Sequence, residues 1–315
     1  MRKILVTGSA GFIGSHLSER LLADGFNIVG VDNFDDFYDP EIKRRNIEHC
    51  LQNKNFKLIE ADIRDTAAMD KIVGDSVETI VHLAAKAGVR PSIASPLLYA
   101  DVNINATLVL LEAAKKHKVN KFIFGSSSSV YGNNKKVPFS ELDSVDSPIS
   151  PYAATKKACE LLCHTYHHLY DIPITCLRFF TVYGPRQRPD LAIHKFASLI
   201  EQNKSIQVYG DGTMMRDFTY IDDIIDGTVA AIKKCKGFEI YNLGESRPIS
   251  VNDLIAELEK ALGKKAVKEF LPPQPGDVER TFANVTKAEK YLGYSPRTSI
   301  QTGLAEFVTW LRAQN

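Results

Sequence analysis

Near its start the chain reads Thr7-Gly8-Ser9-Ala10-Gly11-Phe12-Ile13-Gly14, and no other stretch restricts the fold as strongly. The apolar run Ile4-Leu5-Val6 ahead of it has the length and composition of a buried strand, and the residues behind it carry helical spacing to about position 24. Glycines at 8, 11 and 14 let the backbone turn sharply between the two elements and approach a ligand closely. The first N–H groups of a helix and its dipole both favour an anion, so strand, glycine turn and helix form a cradle for a pyrophosphate. Asp32 closes the next apolar run, Ile28-Val29-Gly30-Val31. A carboxylate there accepts hydrogen bonds from an adenosine ribose diol and repels a 2′-phosphate, which favours NAD over NADP.

The same alternation continues for more than half the chain. Phe56-Lys57-Leu58-Ile59, Thr79-Ile80-Val81-His82-Leu83, Phe122-Ile123-Phe124 and Ile174-Thr175-Cys176-Leu177 read as further strands, with helices at about 12–24, 66–74, 92–117 and 151–170. Strand–helix alternation predicts an α/β fold, a doubly wound parallel sheet covered on both faces. Past residue 180 the texture changes: a Gly/Pro loop at 183–190, helices near 191–202, 221–235, 250–262 and 300–312, and a short strand at 206–209. The expected organisation is a dinucleotide-binding domain over 1–180, to which about 217–244 returns, and a smaller mixed α/β domain built mainly from 181–315.

Composition narrows the function classes. Lys+Arg 39 against Asp+Glu 38 leaves +1, which gives no nucleic-acid or membrane-surface signature. No apolar run approaches the ~18 residues of a membrane span, and the N-terminal apolar stretch meets Gly8 too soon for a signal peptide. Five cysteines without a CxxC fit a reducing, cytoplasmic setting better than a disulfide framework.

Tyr152-Ala153-Ala154-Thr155-Lys156 puts a phenol and an amine one helical turn apart, on one face. A free phenol, with a pKa of ~10, is a poor base at neutral pH, and a nearby ammonium favours its ionised form. The pair suits removal of a proton from an alcohol while a hydride leaves the same carbon. Tyr131 and Lys135 match the same spacing, but they sit around Gly132-Asn133-Asn134, a loop without helical phase, whereas Ser150-Pro151 ahead of Tyr152 is a helix-start signal. The hydroxyl-rich run Gly125-Ser126-Ser127-Ser128-Ser129 follows the fifth strand, and ligands of open α/β sheets lie at strand carboxyl ends. Ser127 can there bridge a substrate alcohol and Tyr152.

Together these motifs resemble the extended short-chain dehydrogenase/reductase superfamily and, within it, the nucleotide-sugar epimerases and dehydratases. Leu83-Ala84-Ala85, Arg178-Phe179-Phe180-Thr181-Val182-Tyr183-Gly184-Pro185 and Arg216-Asp217-Phe218-Thr219-Tyr220-Ile221-Asp222-Asp223 carry the resemblance over essentially the whole chain. It looks most like the UDP-glucuronate 4-epimerase branch. That resemblance implies Tyr152, Lys156 and Ser127 as the catalytic set. It implies NAD held by Gly8, Gly11, Phe12, Ile13, Gly14, Asp32, Asn33, Asp62, Ile63, Leu83, Ala84, Ala85, Lys86, Asn103, Tyr152 and Lys156. For the UDP-sugar it implies Gly88, Arg90, Ser127, Ser128, Tyr152, Thr181, Arg188, Gln207, Tyr209, Arg216 and Asp277. The role of Arg90 stays open between an anion contact and a loop-closing salt bridge.

Related dehydratases carry Asp-Glu where this chain has Ser128-Ser129, and related decarboxylases carry Glu at position 129, so the absence of a carboxylate favours epimerisation. The alternatives are a UDP-glucose or UDP-N-acetylhexosamine 4-epimerase, a UDP-glucuronate decarboxylase, or a silent NAD-binding sensor. The resemblance also implies a homodimer joined through the helices near 92–117 and 151–170. His164, His167 and His168 lack the pattern of a metal site, and Cys159 and Cys163 read as buried small side chains.

Overall fold

All six apolar runs form strands: β1 (Lys3–Thr7), β2 (Asn27–Asp32), β3 (Phe56–Glu60), β4 (Val77–His82), β5 (Lys121–Ser127) and β6 (Ile174–Phe179). The structure, a computed structural model, describes residues 3–74, 76–273 and 278–314. Further strands are β7 (Thr181–Tyr183), β8 (Ser205–Tyr209), β9 (Met215–Arg216), β10 (Phe218–Tyr220), β11 (Phe238–Leu243), β12 (Ile249–Ser250) and β13 (Val267–Leu271). Seven of them make one parallel sheet in the order β11-β6-β5-β4-β1-β2-β3. Side chains alternate across it. Ile4 and Val6 enter one apolar core with the helices Phe12–Ala23 and Ile221–Lys234, and Leu5 enters the other with Thr66–Gly74, Ala106–Lys116 and Pro151–Tyr170. This is the doubly wound sheet the alternation predicts.

β1 has β2 on one side and β4 on the other, so successive connections leave it in opposite directions. The loops beyond Thr7 and His82 part there, which opens the crevice typical of a topological switch point. Phe238–Leu243 pairs in parallel with β6 and completes the sheet after the chain has passed through β7 to β10. The segments around it form small two-stranded sheets, β10-β7, β12-β9 and β13-β8.

Two features depart from the sequence expectations. The helix expected at 92–117 is built from Val89–Ala94, Pro96–Tyr99, a π-helical turn at Ala100–Asn105, and Ala106–Lys116. In addition, Pro96–Lys116 is long and apolar enough by composition to cross a membrane, although no such stretch was expected. Its Leu110, Leu111, Ala113 and Ala114 pack into the core between the sheet and the neighbouring helices.

Candidate active site

The cleft at the switch point has a volume of about 610 Å³ and runs from the glycine turn to Tyr152. Its floor follows from close backbone packing. Gly8 has φ +70°, and a Cβ there would lie 2.8 Å from the Ala84 nitrogen; a Cβ on Gly14 would lie 2.0 Å from the Gly8 carbonyl oxygen. Gly11 is the N-cap of Phe12–Ala23 and offers no side chain to its first turn, so those N–H groups face the cleft uncapped. Asp32 sits at the end of β2 and accepts hydrogen bonds from the Ala10 and Phe34 N–H groups at 3.0 and 2.9 Å. Burial nevertheless raises its carboxyl above the ordinary range, against those two bonds and the nearby Lys43. Each oxygen keeps a lone pair for a ribose diol. Glycine floor, uncapped helix start and terminal carboxylate together fit a dinucleotide.

Thr7 ties the two sides of the crevice together. Its Oγ1 accepts from the Leu83 and Ala84 N–H groups, both at 3.2 Å, and lies 2.8 Å from His82 Nδ1. On its other side His82 Nε2 is 3.0 Å from Thr107 Oγ1, whose hydroxyl donates to the Asn103 carbonyl at 2.6 Å. The donors fall into place only with neutral His82 protonated at Nε2. Burial, aided by the Lys156 charge, pushes this imidazole down to about 3. His82 therefore positions the crevice and carries no proton for the reaction.

The Pro151–Tyr170 helix supplies the phenol and the amine. Ser150 caps it by accepting from the Ala153 N–H at 3.2 Å, Pro151 opens it, and Asp171 ends it in the left-handed region. Tyr152 and Lys156 both line the cleft. The Tyr152 N–H donates to Ser92 Oγ at 3.1 Å, and its ring meets Tyr99 edge to face, centroids 6.3 Å apart. Lys156 is buried and donates to the Gly125 carbonyl at 2.6 Å, directly before the serine run. Ser127 caps the 3-10 turn Ser128–Tyr131, accepting from the Ser129 N–H and donating to Ser129 Oγ, both at 3.1 Å. Tyr131, the competing tyrosine, is buried with its hydroxyl donated to Asn242, while Lys135 is exposed.

Of the residues expected to hold cofactor or sugar, Gly8, Gly11, Phe12, Ile13, Gly14, Asp32, Asn33, Asp62, Ile63, Leu83, Ala84, Ala85, Lys86, Gly88, Ser127, Ser128, Tyr152, Lys156, Thr181 and Arg188 line this one cleft. Asn103 does not: it is buried in the π-helical turn and acts from behind. Its side chain accepts from the Lys86 N–H at 2.8 Å and donates to the Lys86 carbonyl and to Thr155 Oγ1, both at 3.0 Å. Arg90, Gln207, Tyr209 and Arg216 also stand outside the lining. Arg90 lies over the Tyr209 ring, 4.4 Å from its centroid, and Arg216 donates to the Met215 carbonyl. Asp277 lies outside the described residues.

Sequence reasoning missed the strap between β2 and the helix Pro40–Asn46. Asp35, Phe37, Tyr38 and Lys43 line the cleft from above. Lys86 binds Asp35 at 2.6 Å, Lys43 donates to the Asp35 carbonyl at 2.5 Å, and Arg188 lies 5.3 Å over the Phe37 ring while paired to Asp190. The cluster Asn33-Phe34-Asp35-Asp36-Phe37-Tyr38-Asp39, acidic and aromatic directly after Asp32, was the available signal.

Residues 5–307 match the family described as GDP-mannose 4,6 dehydratase. UDP-glucuronate 4-epimerase of Thermodesulfobacterium geofontis is 47% identical over 308 residues, covering 97% of this chain and 95% of that one. The crystal structure of UDP-glucuronic acid 4-epimerase from Bacillus cereus, in complex with UDP-glucuronic acid and NAD, superposes with a TM-score of 0.94 at 43% identity, covering 99% of this chain and 100% of that one. The UDP-glucose 4-epimerase of Thermotoga maritima with UDP-glucose gives 0.92 at 34% identity, covering 99% of both chains.

Proposed function

The chain belongs to the GDP-mannose 4,6 dehydratase family of extended short-chain dehydrogenase/reductases, and from that premise we propose that it is an NAD-dependent isomerase that inverts C4 of UDP-glucuronate to give UDP-galacturonate. One observation carries the reading: Tyr152, Lys156 and Ser127 line the same cleft as the Gly8–Gly14 turn, and the turn beside them presents Ser128 and Ser129 in place of carboxylates. Relatives named for this reaction, 40–47% identical over nearly the full chain, support the sugar assignment.

When bound, NAD supplies an acceptor for the C4 hydride and gives it back to the opposite face. The chain's own groups do the rest. Tyr152 takes the proton of the C4 hydroxyl and later returns it, Ser127 hydrogen-bonds the same oxygen, and the fixed charge of Lys156 sits one turn along the helix. The 4-keto sugar with a C6 carboxylate is a β-keto acid, prone to losing CO₂ when its C–CO₂ bond stands perpendicular to the carbonyl plane. Hydroxyls of Ser127, Ser128 and Thr181 hold the carboxylate near that plane without lending a proton. Arg188 serves the nucleotide end of the cleft; Gln207, Tyr209 and Arg216, on the small sheets, serve it from beyond the lining.

The protein acts as a homodimer, supported by Leu97, Leu161, Leu169 and Tyr170, which expose apolar surface on Pro96–Lys116 and Pro151–Tyr170. A cytoplasmic setting is supported by five buried cysteines, all free thiols. Incubation with UDP-glucuronate yields UDP-galacturonate without net NADH, and Tyr152→Phe lowers turnover at least ~1,000-fold while UDP binding persists. Turnover by that variant at the wild-type rate, or inversion of UDP-glucose in preference to UDP-glucuronate, refutes the reading.

A further inference from the structure

A buried polar network behind the cleft has no part in the chemistry above. Glu160 and Arg178 are each 1% exposed and meet as a bidentate pair, Arg178 Nε and Nη2 donating to the two carboxylate oxygens at 2.8 Å each. Ser126 Oγ donates to the same carboxylate at 2.7 Å. Arg178 Nη1 donates to Tyr131 Oη at 2.9 Å, and that hydroxyl donates to Asn242 Oδ1 at 2.7 Å. Asn242 in turn donates to the Phe139 and Asn284 carbonyls.

The placement of these partners is informative. Ser126 and Tyr131 bracket the serine turn: Ser126 directly precedes Ser127, and Tyr131 is the last residue of Ser128–Tyr131. Glu160 lies one turn beyond Lys156 on the same helix, and Arg178 lies on β6, just ahead of Thr181. One ion pair thus clamps both ends of the serine turn and ties it to the two other segments that reach the sugar. A buried ion pair is a poor device for stability, because desolvation offsets its attraction and apolar replacements often do as well. Its value here is in fixing geometry.

We propose that Glu160 and Arg178 are positioning residues that keep the serine turn in register with Thr181, and that they decide whether the 4-keto acid retains its carboxylate. This rests on the epimerase reading above. In the leak they prevent, the C5–C6 bond breaks, its electron pair forms the C4–C5 enolate, and CO₂ departs. A solvent proton at C5 completes the 4-ketopentose, and the hydride taken from C4 stays on the cofactor. Each leaked turnover therefore gives one CO₂ and one reduced cofactor.

The test uses the NAD-loaded full chain with UDP-glucuronate, in wild-type form and as Ser126→Ala, Tyr131→Phe and Glu160→Gln. The first two variants leave the ion pair in place and guard against a loss of folding. Released CO₂, UDP-4-ketopentose and UDP-galacturonate are quantified together, with UDP affinity measured by calorimetry. We expect the CO₂-to-epimer ratio to rise about tenfold in Ser126→Ala and Tyr131→Phe, with kcat for inversion reduced and UDP affinity unchanged. A purely structural network would scale both products with the amount of folded enzyme and leave the ratio constant; a constant ratio in both variants overturns the proposal. Failure of the wild type to invert UDP-glucuronate would instead overturn the reading on which it rests.

Discussion

Glu245, two residues past β11, is 7% exposed, and among the described residues neither carboxylate oxygen has a hydrogen-bond partner. The Arg247 guanidinium stands 3.5 Å away on a side chain that is itself mostly in solvent. Burial, with Asp223 and Asp217 nearby, pushes the carboxyl from 4.5 up to about 7. The folded chain therefore holds a proton that the unfolded chain has released. The stability this provides is complete below about pH 4.5 and is lost as pH rises through about 7. The gap between the two values corresponds to about 3 kcal/mol of burial penalty at pH 8. Glu245→Gln removes the titration and nearly keeps the shape. At pH 5, where Glu245 is protonated in the folded chain but largely ionised in the unfolded one, the variant should exceed the wild type by only ~1 kcal/mol. At pH 8 it should be about 3 kcal/mol more stable, a rise in Tm of roughly 4–5 °C for a chain of this length. Burial also raises Asp217 and Asp222, but both occur in each protein and cancel in the difference. Urea unfolding at the two pH values reads it directly. A Gln variant no more stable than wild type at pH 8, or one displaced equally at both, would show that burial does not raise the Glu245 carboxyl in the folded chain.

Three other perturbations probe the cradle and the outer helices. Gly14→Ala forces a methyl group against the Gly8 carbonyl, so it should cost ~1–3 kcal/mol and strip the purified protein of dinucleotide, checked by absorbance and by melting. Asp32→Asn keeps the side-chain shape but loses the charge; NAD affinity should fall about 10- to 100-fold and NADP affinity should fall less, measured by titrating the two dinucleotides. Leu161→Arg combined with Leu169→Arg should halve the mass in solution by light scattering while leaving the fold intact by circular dichroism, since both side chains are more than half exposed in the single chain.

Much of the architecture is legible because its signals are local. β1, β2, β4, β5 and β6 are short apolar runs buried on both faces, β3 is a half-buried run at the sheet edge, and Ser150-Pro151 marks the start of the Tyr152 helix by capping chemistry alone. The Gly8–Gly14 turn, Tyr152 with Lys156, and the serine run are each contiguous, so their geometry follows from one element. Phe238–Leu243 is harder to read as a sheet strand, because only its second half is buried at the open edge of the sheet. Asn103 shows the limit most clearly. Its residue type fits a cofactor contact, but a π-helical turn that periodicity does not reveal aims it at the Lys86 backbone. Asp35 and Phe37 are held at the cleft by an ion pair with Lys86 and a ring contact with Arg188, residues far away in sequence that only the folded sheet brings near. Gln207, Tyr209 and Arg216 lie on the small sheets, whose distance from the cleft no linear pattern encodes.

The π-helical turn at Ala100–Asn105 also sets how this chain tolerates change in length. A π-turn holds one residue more than the α-turn it replaces, so removing one residue there would relax it to ordinary α-helix, leaving the flanking segments nearly in place but turning the side chains within it about the helix axis. Leu110 and Leu111 would keep their places against the sheet, while the Asn103 amide would swing away from the two backbone groups it bridges. A single-codon deletion would thus leave a folded protein with a slackened crevice wall, whereas many substitutions along the same helix would pass unnoticed.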